Sequence, residues 1–243
     1  MKKYLPIFLF VLSPCFVFSQ QNDEAKTTHH FDVMLAANLA MPFPEMKKAI
    51  RNNMGDAGFG ISFLCLSNPL SWGKVKKASP FRLGAEIGYT YYGRFKSQVF
   101  ANGFGGDYKT SYGIAKLNAV LRFRPPHTNT FTPFADVFAG GNFYLSSVRE
   151  NLGLLESSLG LQSVDFGGTA SASFAKGIAV GFSLGSVKPD KGRFVFRLSY
   201  TEGSAIRYIV RNSLRYDPNY NQLIYDEGRA PLRYMMIEIG IGI

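Results

Sequence analysis

Six ionisable side chains, Arg82, Glu86, Lys116, Asp136, Arg197 and Glu238, stand with Asn118 in stretches that alternate between small or polar residues and apolar ones. In 193–200, for example, Phe194, Phe196, Leu198 and Tyr200 alternate with Arg193, Val195, Arg197 and Ser199. A period of two belongs to a strand with two unlike faces. Charges recurring on one face of apolar strands suit either a proton or ion pathway or a set of mutually neutralising pairs. Counted from one end of their stretches, Glu86, Asp136, Arg197 and Glu238 fall at similar heights, with Asn118 near them, and this predicts an ion-pair layer that plugs an enclosed space.

Residues suited to catalysis are not grouped in this way. The histidines are His29, His30 and His127, and all three map to one end of the strand series. A nucleophile with a base and an orienting acid at the opposite rim is therefore not available. His29 and His30 are neighbours on an extended chain, so they point apart and do not form a metal pair. Gly103-Phe104-Gly105-Gly106-Asp107 lacks the Lys and Ser/Thr of a phosphate loop and reads as a loop tip. No catalytic residue, metal site or cofactor is expected, and the chain is read as a non-enzyme.

Eight stretches carry the alternation: residues 31–41, 57–66, 81–92, 110–123, 131–144, 173–185, 192–201 and 232–243. The last is the clearest, with Met235, Ile237, Ile239, Ile241 and Ile243 on one face and Tyr234, Met236, Glu238, Gly240 and Gly242 on the other. Links at 67–80, 125–130 and 186–191 are short or rich in turn residues, whereas 42–56, 93–109, 145–172 and 202–231 are long. Short turns on one side and long loops on the other mark an up-and-down barrel that crosses a membrane. An arginine facing lipid at the midplane costs about 2–4 kcal/mol. Arg82, Glu86, Thr90, Lys116, Asn118, Arg122, Asp136 and Arg197 are therefore assigned to the interior, with Gly84, Gly88, Gly181, Gly240 and Gly242 making room for long cations.

The chain opens on Met1-Lys2-Lys3, an apolar run from Tyr4 to Phe18, and Val17-Phe18-Ser19 before Gln20. This is the pattern of a secretory signal peptide over residues 1–19. Residues 20–30 then form a short periplasmic segment and 31–243 the barrel. The net charge of +10 becomes 10 − 2 = +8 when Lys2 and Lys3 leave with the leader. Loss of Cys15 leaves Cys65 without an intrachain disulfide partner. Export excludes nucleic acid as the partner of this charge. Lys74, Lys76, Lys77, Arg122, Arg124, Lys188 and Lys191 instead gather near the short-turn end, a place that suits contact with anionic inner-leaflet headgroups, with an acidic periplasmic partner, or a plain solvated face.

With its leader Val17-Phe18-Ser19-Gln20, the stretch Thr132-Pro133-Phe134-Ala135-Asp136-Val137-Phe138-Ala139-Gly140-Gly141 and the alternating terminal strand, the chain resembles the small eight-stranded outer-membrane β-barrels of Gram-negative bacteria. This is the porin-like group that includes OmpA-type barrel domains. The resemblance spans the mature chain and implies an all-β, eight-stranded antiparallel transmembrane barrel, integral to the outer membrane and contacting its lipids. It also implies handling by the barrel-assembly machinery, which usually reads an aromatic last residue; here the last residue is Ile243.

The family fixes location more than activity. Specific function is expected in the long loops, above all in 202–231. There Arg207, Tyr208, Arg211, Arg215, Tyr216, Tyr220 and Tyr225 form a Tyr/Arg set typical of protein interfaces. Pro44 and Glu45 followed by Lys47 and Lys48 predict a one- or two-turn helix in the first loop. The leading reading is an envelope-structural or binding and accessory protein, with an extracellular or periplasmic partner of unspecified identity. A narrow channel for small solutes is the rival, and a soluble lipocalin-like barrel, which needs the opposite polarity, is the third reading.

Overall fold

The computed structural model describes residues 31–50, 57–69, 79–101, 104–125, 130–150, 165–185, 192–210, 213–217 and 222–242. The expected leader, the 20–30 segment, the three histidines, Arg211, Tyr220 and Ile243 lie outside them.

Ten strands and one short helix form from the described residues. They are β1 (Phe31–Pro42), α1 (Pro44–Ile50), β2 (Gly58–Ser67), β3 (Phe81–Ala101), β4 (Phe104–Phe123), β5 (Phe131–Glu150), β6 (Asp165–Leu184), β7 (Arg193–Ile209), β8 (Arg215–Asp217), β9 (Gln222–Ile224) and β10 (Glu227–Gly242). Eight of them close into a barrel in the order β1-β10-β7-β6-β5-β4-β3-β2, every pair antiparallel, and β8 and β9 form a separate hairpin. Registered partners lead from Met34 through Leu64, Glu86, Asn118, Gly140, Ala175 and Gly203 to Leu232 on β10. Met34 is itself registered with Gly242 on β10, so one circuit advances 242 − 232 = 10 residues. A stagger of this size over eight strands tilts them by about 40° and leaves an interior that side chains can fill.

The polarity of the wall is inverted relative to a soluble barrel. Outward side chains are apolar and open: Leu35 is 60% exposed, Ile61 64%, Val137 61%, Phe174 68% and Ile241 62%. Inward positions hold the ionised groups. Water would penalise the first arrangement and hydrocarbon the reverse, so the wall suits lipid outside and a packed interior.

The strands are longer than the alternation predicts. β3 runs for 21 residues and β4, β5 and β6 for 20 each, while about 9–11 suffice to cross a bilayer. The expected loops at 93–109 and 202–231, and the flanks of 145–172, are therefore largely strand projecting beyond the membrane. The expected tip at 103–107 is corrected as well, since Phe104 to Asp107 pair with Ala101 to Gln98. The alternation fades there because outward residues such as Arg94, Lys96 and Gln98 no longer meet lipid. At the base of the β3–β4 projection the register shifts between Tyr91 and Gly93. Gly93 takes a φ of 92°, a left-handed conformation that glycine adopts without strain. A second shift falls between Pro231 and Leu232, where a proline has no ladder hydrogen to lose.

Candidate functional site: the barrel interior and its mouth

The interior is stacked in three layers. Towards the short turns, Met34, Leu64, Leu66, Val120, Phe134, Phe138 and Val195 form one buried apolar cluster. Towards the long projections, Tyr92, Phe95, Tyr112, Ile114, Tyr144, Ile206, Leu232, Tyr234 and Met236 form another. Six charged side chains lie between them.

Arg197 is the centre of this layer and is fully buried. Its Nη1 donates to Glu86 Oε1 at 3.0 Å and to Glu238 Oε2 at 2.5 Å, and its Nε donates to Asp136 Oδ2 at 2.8 Å. Lys116 Nζ donates to Glu86 and, at 3.1 Å, to Glu238 Oε1. Arg122 grips Asp136 with both ends of its fork, Nε to Oδ1 at 2.7 Å and Nη2 to Oδ2 at 2.9 Å. Three cations face three carboxylates, 3 − 3 = 0, and each carboxylate is shared by two cations. Buried charges persist on these terms, paired and hydrogen-bonded.

Two of these pairs cross the lumen. β7 and β3 are four places apart in the ring of eight, as are β4 and β10. Arg197 to Glu86 and Lys116 to Glu238 therefore each span a diameter. Aromatic faces support the guanidinium groups, with Arg122 Cζ lying 3.7 Å from the Phe134 ring centroid and Arg197 Cζ 5.4 Å from that of Phe138.

The predicted residues separate under this geometry. Glu86, Lys116, Asp136, Arg197 and Glu238 meet. Asn118 is buried beside them, its Oδ1 without a hydrogen-bond partner among the described residues. Arg82 does not join the layer: it pairs with Asp32 at 3.5 Å, near the turn end where Arg124 also reaches Asp32 at 3.3 Å. Arg122, assigned to the interior but grouped with the basic residues of the short-turn end, belongs to the layer. Its long side chain lies along Phe134 and turns back to Asp136, which its strand position alone does not reveal. The glycines also divide. A Cβ on Gly88 would lie 2.6 Å from Lys116 Cε, so this glycine makes room for a cation, whereas Gly181 makes room for the Phe134 ring and Gly84 and Gly240 for neighbouring backbone.

The mouth is covered from two sides. In α1, Pro44 and Glu45 occupy the first turn, where a fixed φ and a negative charge favour a helix start. Met46, fully buried, joins the upper apolar cluster. Between β7 and β10 the β8–β9 hairpin reaches across to β3. Its base is tied by Val210 N donating to Asp226 O at 2.9 Å and Asp226 N donating to Ser213 Oγ at 3.0 Å. Arg215 Nη2 and Asp226 Oδ1 pair at 3.0 Å, both well exposed. The Asp226 carboxyl is held below its usual range chiefly by the hydrogen bond from Arg215. Of the predicted Tyr/Arg set, Arg207 and Arg215 are exposed and Tyr216 half-exposed. Tyr208 packs partly on the interior cluster, and Tyr225 Oη lies 3.5 Å from Thr169 Oγ1.

A closed eight-stranded antiparallel barrel with an apolar outer wall, a neutralised polar interior and long projections on one side is an integral outer-membrane β-barrel. The chain is similar over most of its length to solved structures of outer-membrane proteins. Neisserial surface protein A (NspA) is 14% identical, the match covering 88% of this chain and 96% of that one with a TM-score of 0.41. A major outer-membrane protein from Thermus thermophilus is 9% identical, covering 88% and 98% with a TM-score of 0.46. The outer-membrane protease OmpT from Escherichia coli is 8% identical, covering 91% and 98% with a TM-score of 0.37. At such identities no activity transfers from them. No protein-family profile and no curated protein sequence matches the chain.

Proposed function

We propose that this barrel is a non-enzymatic outer-membrane protein that works through its extracellular projections, as an envelope-structural or binding and accessory element, with a lumen that does not conduct. The observation that supports it is the pair of ion bridges spanning two diameters between Arg197 and Glu86 and between Lys116 and Glu238. A pathway for solutes or protons needs mobile or unpaired polar groups along its length. Here the charges are mutually neutralised and lie between two apolar clusters. What is left open to partners is the surface beyond the membrane, where β8 displays Arg215.

Two measurements test this. Purified protein in a planar bilayer should pass no steady current at moderate voltage, and reproducible unitary conductance would establish the channel reading instead. A strain lacking the protein should recover its envelope phenotype with the full chain but not with a variant in which residues 211–226 are replaced by a short Gly-Ser turn. Full recovery by the shortened chain, with normal assembly, would remove the hairpin from the functional surface.

A further inference from the structure

Three arginines face a single acid at the short-turn mouth of the lumen. Arg82 on β3 and Arg124 just past β4 both reach the same oxygen, Asp32 Oδ2, at 3.5 and 3.3 Å. Arg193 opens β7, four places from β3 in the ring of eight, so it stands across the opening from Arg82, and its charge acts on both Arg124 and Asp32. The alternation turns all three inward, since their neighbours Leu83, Phe123 and Phe194 are exposed on the outer wall. The side chains of Asp32, Arg82 and Arg124 keep between 17% and 28% of their surface exposed, enough for a small solute to touch them.

The charges at this level do not cancel. In the layer above, three cations match three carboxylates, and Arg122, the registered neighbour of Arg82, is engaged there by Asp136. At the mouth Asp32 is the only acid among the described residues of this end, so Arg82 and Arg124 leave 2 − 1 = +1, and Arg193 raises the positive potential further. Arg82 engages Asp32 through Nε and Arg124 through Nη1, and the other nitrogens of both forks have no partner among the described residues. Half-buried guanidinium groups are poorly hydrated, and an excess of them favours an anion that accepts from their remaining donors. Groups arriving from both sides of the opening suit a tetrahedral phosphate, whose oxygens point in several directions, better than a planar carboxylate. Gly242 on β10, registered with Arg193 and with Met34, puts no side chain into the opening at this level.

We propose that Arg82 and Arg124, with Arg193 across from them, hold the phosphate group of a small periplasmic solute at the short-turn mouth of the lumen. Because these groups point into the lumen and not at the bilayer, the ligand is a solute, either free phosphate or a phosphate monoester. The site lies below the ion-pair layer and depends neither on a sealed lumen nor on any role of the β8–β9 hairpin.

Isothermal titration calorimetry of the purified protein in maltoside micelles, at low salt and pH 8 where phosphate is a dianion, tests the site. The probes are inorganic phosphate, glycerol 3-phosphate and acetate. Both phosphates should bind about tenfold more tightly than acetate, and the tighter of the two marks free anion or ester as the better ligand. Arg82→Gln/Arg124→Gln should weaken phosphate binding by about a hundredfold. Arg215→Gln, at the opposite mouth, should leave it unchanged. A heat-modifiable band from each variant shows that the barrel has closed, which separates failure of the site from failure of the fold. Acetate binding as tightly as phosphate, undiminished phosphate affinity in the closed double variant, or an equal loss in Arg215→Gln would each overturn the proposal.

Discussion

Arg197 and Glu86 stand on strands at opposite ends of a barrel diameter, yet Arg197 Nη1 lies 3.0 Å from Glu86 Oε1. A bond of that kind makes the two sides of the wall depend on each other. The ladder links neighbours only, whereas this arginine binds β7 to β3, β5 and β10 at once through Glu86, Asp136 and Glu238. It ties the wall together across the lumen as well as along the ladder.

Arg197→Met should therefore be among the most damaging single changes in the chain. It leaves Lys116 and Arg122 against three buried carboxylates, 2 − 3 = −1, with one negative charge uncompensated. Removing one partner of a buried pair costs about 3–5 kcal/mol. A matching fall in the urea midpoint of barrel refolded in lipid vesicles is expected, with loss of the heat-modifiable band. An unchanged midpoint would mean that the network does not hold the barrel together. Arg197→Lys should fall between the two, since a point charge cannot address three acids with separate donors.

Gly88→Ala tests the same network from the wall. The added Cβ would lie 2.6 Å from Lys116 Cε. A free lysine would step aside, but this one is anchored at its tip by Glu86 and Glu238, so either the pair or the strand must shift. A loss of about 1–3 kcal/mol is expected, in the range of overpacked interiors. Lys116→Met in the Gly88→Ala background should recover less than full stability, because two carboxylates then lose a cation. Wild-type stability in Gly88→Ala alone would show that Lys116 is not fixed in place.

The wall was readable from the sequence because lipid enforces strict alternation. Leu83 and Tyr89 face out and Glu86 and Thr90 face in, as charge placement requires. Where the chain leaves the lipid that constraint ends. β3 continues to Ala101 with Arg94, Lys96 and Gln98 outward, a composition that reads as loop although Phe95 still packs inside. Within the site, strand position located Asp136 and Arg197 and turned Arg82 and Arg122 inward, but did not tell which of these two arginines reaches the layer. Arg82 and Arg122 are registered partners on β3 and β4. What separates them is the direction of the side chain, towards Asp32 in one and towards Asp136 in the other, and a period of two carries no information about that.

Cys65 provides a depth marker. It is outward on β2, registered with Val33 and Ala85, and in a protein expressed from Gln20 onward it is the sole thiol. A nitroxide attached to Cys65 in urea and carried through refolding into vesicles should be relaxed strongly by oxygen, which concentrates in hydrocarbon, and weakly by a water-soluble nickel chelate. The opposite ratio would turn the assigned face away from lipid.

The β8–β9 hairpin should loosen in acid without the barrel following. The hydrogen bond from Arg215 holds the Asp226 carboxyl below its usual value. A carboxylate whose folded pKa is depressed contributes stability that is fully present above its unfolded pKa and lost as pH falls through the folded value. The Arg215–Asp226 contact should thus be intact at neutral pH and fade below the ordinary carboxylate range. Both side chains are exposed, so the effect is local and shrinks with added salt. Limited proteolysis with an acid-tolerant protease should show cleavage near residues 213–226 rising as pH drops, while the heat-modifiable barrel core persists. Asp226→Asn should cleave at the faster rate already at neutral pH and lose the pH dependence. A hairpin equally protected at both pH values in the wild type would mean that the hydrogen bonds of the Asp226 backbone with Val210 N and Ser213 Oγ, not this ion pair, hold it down.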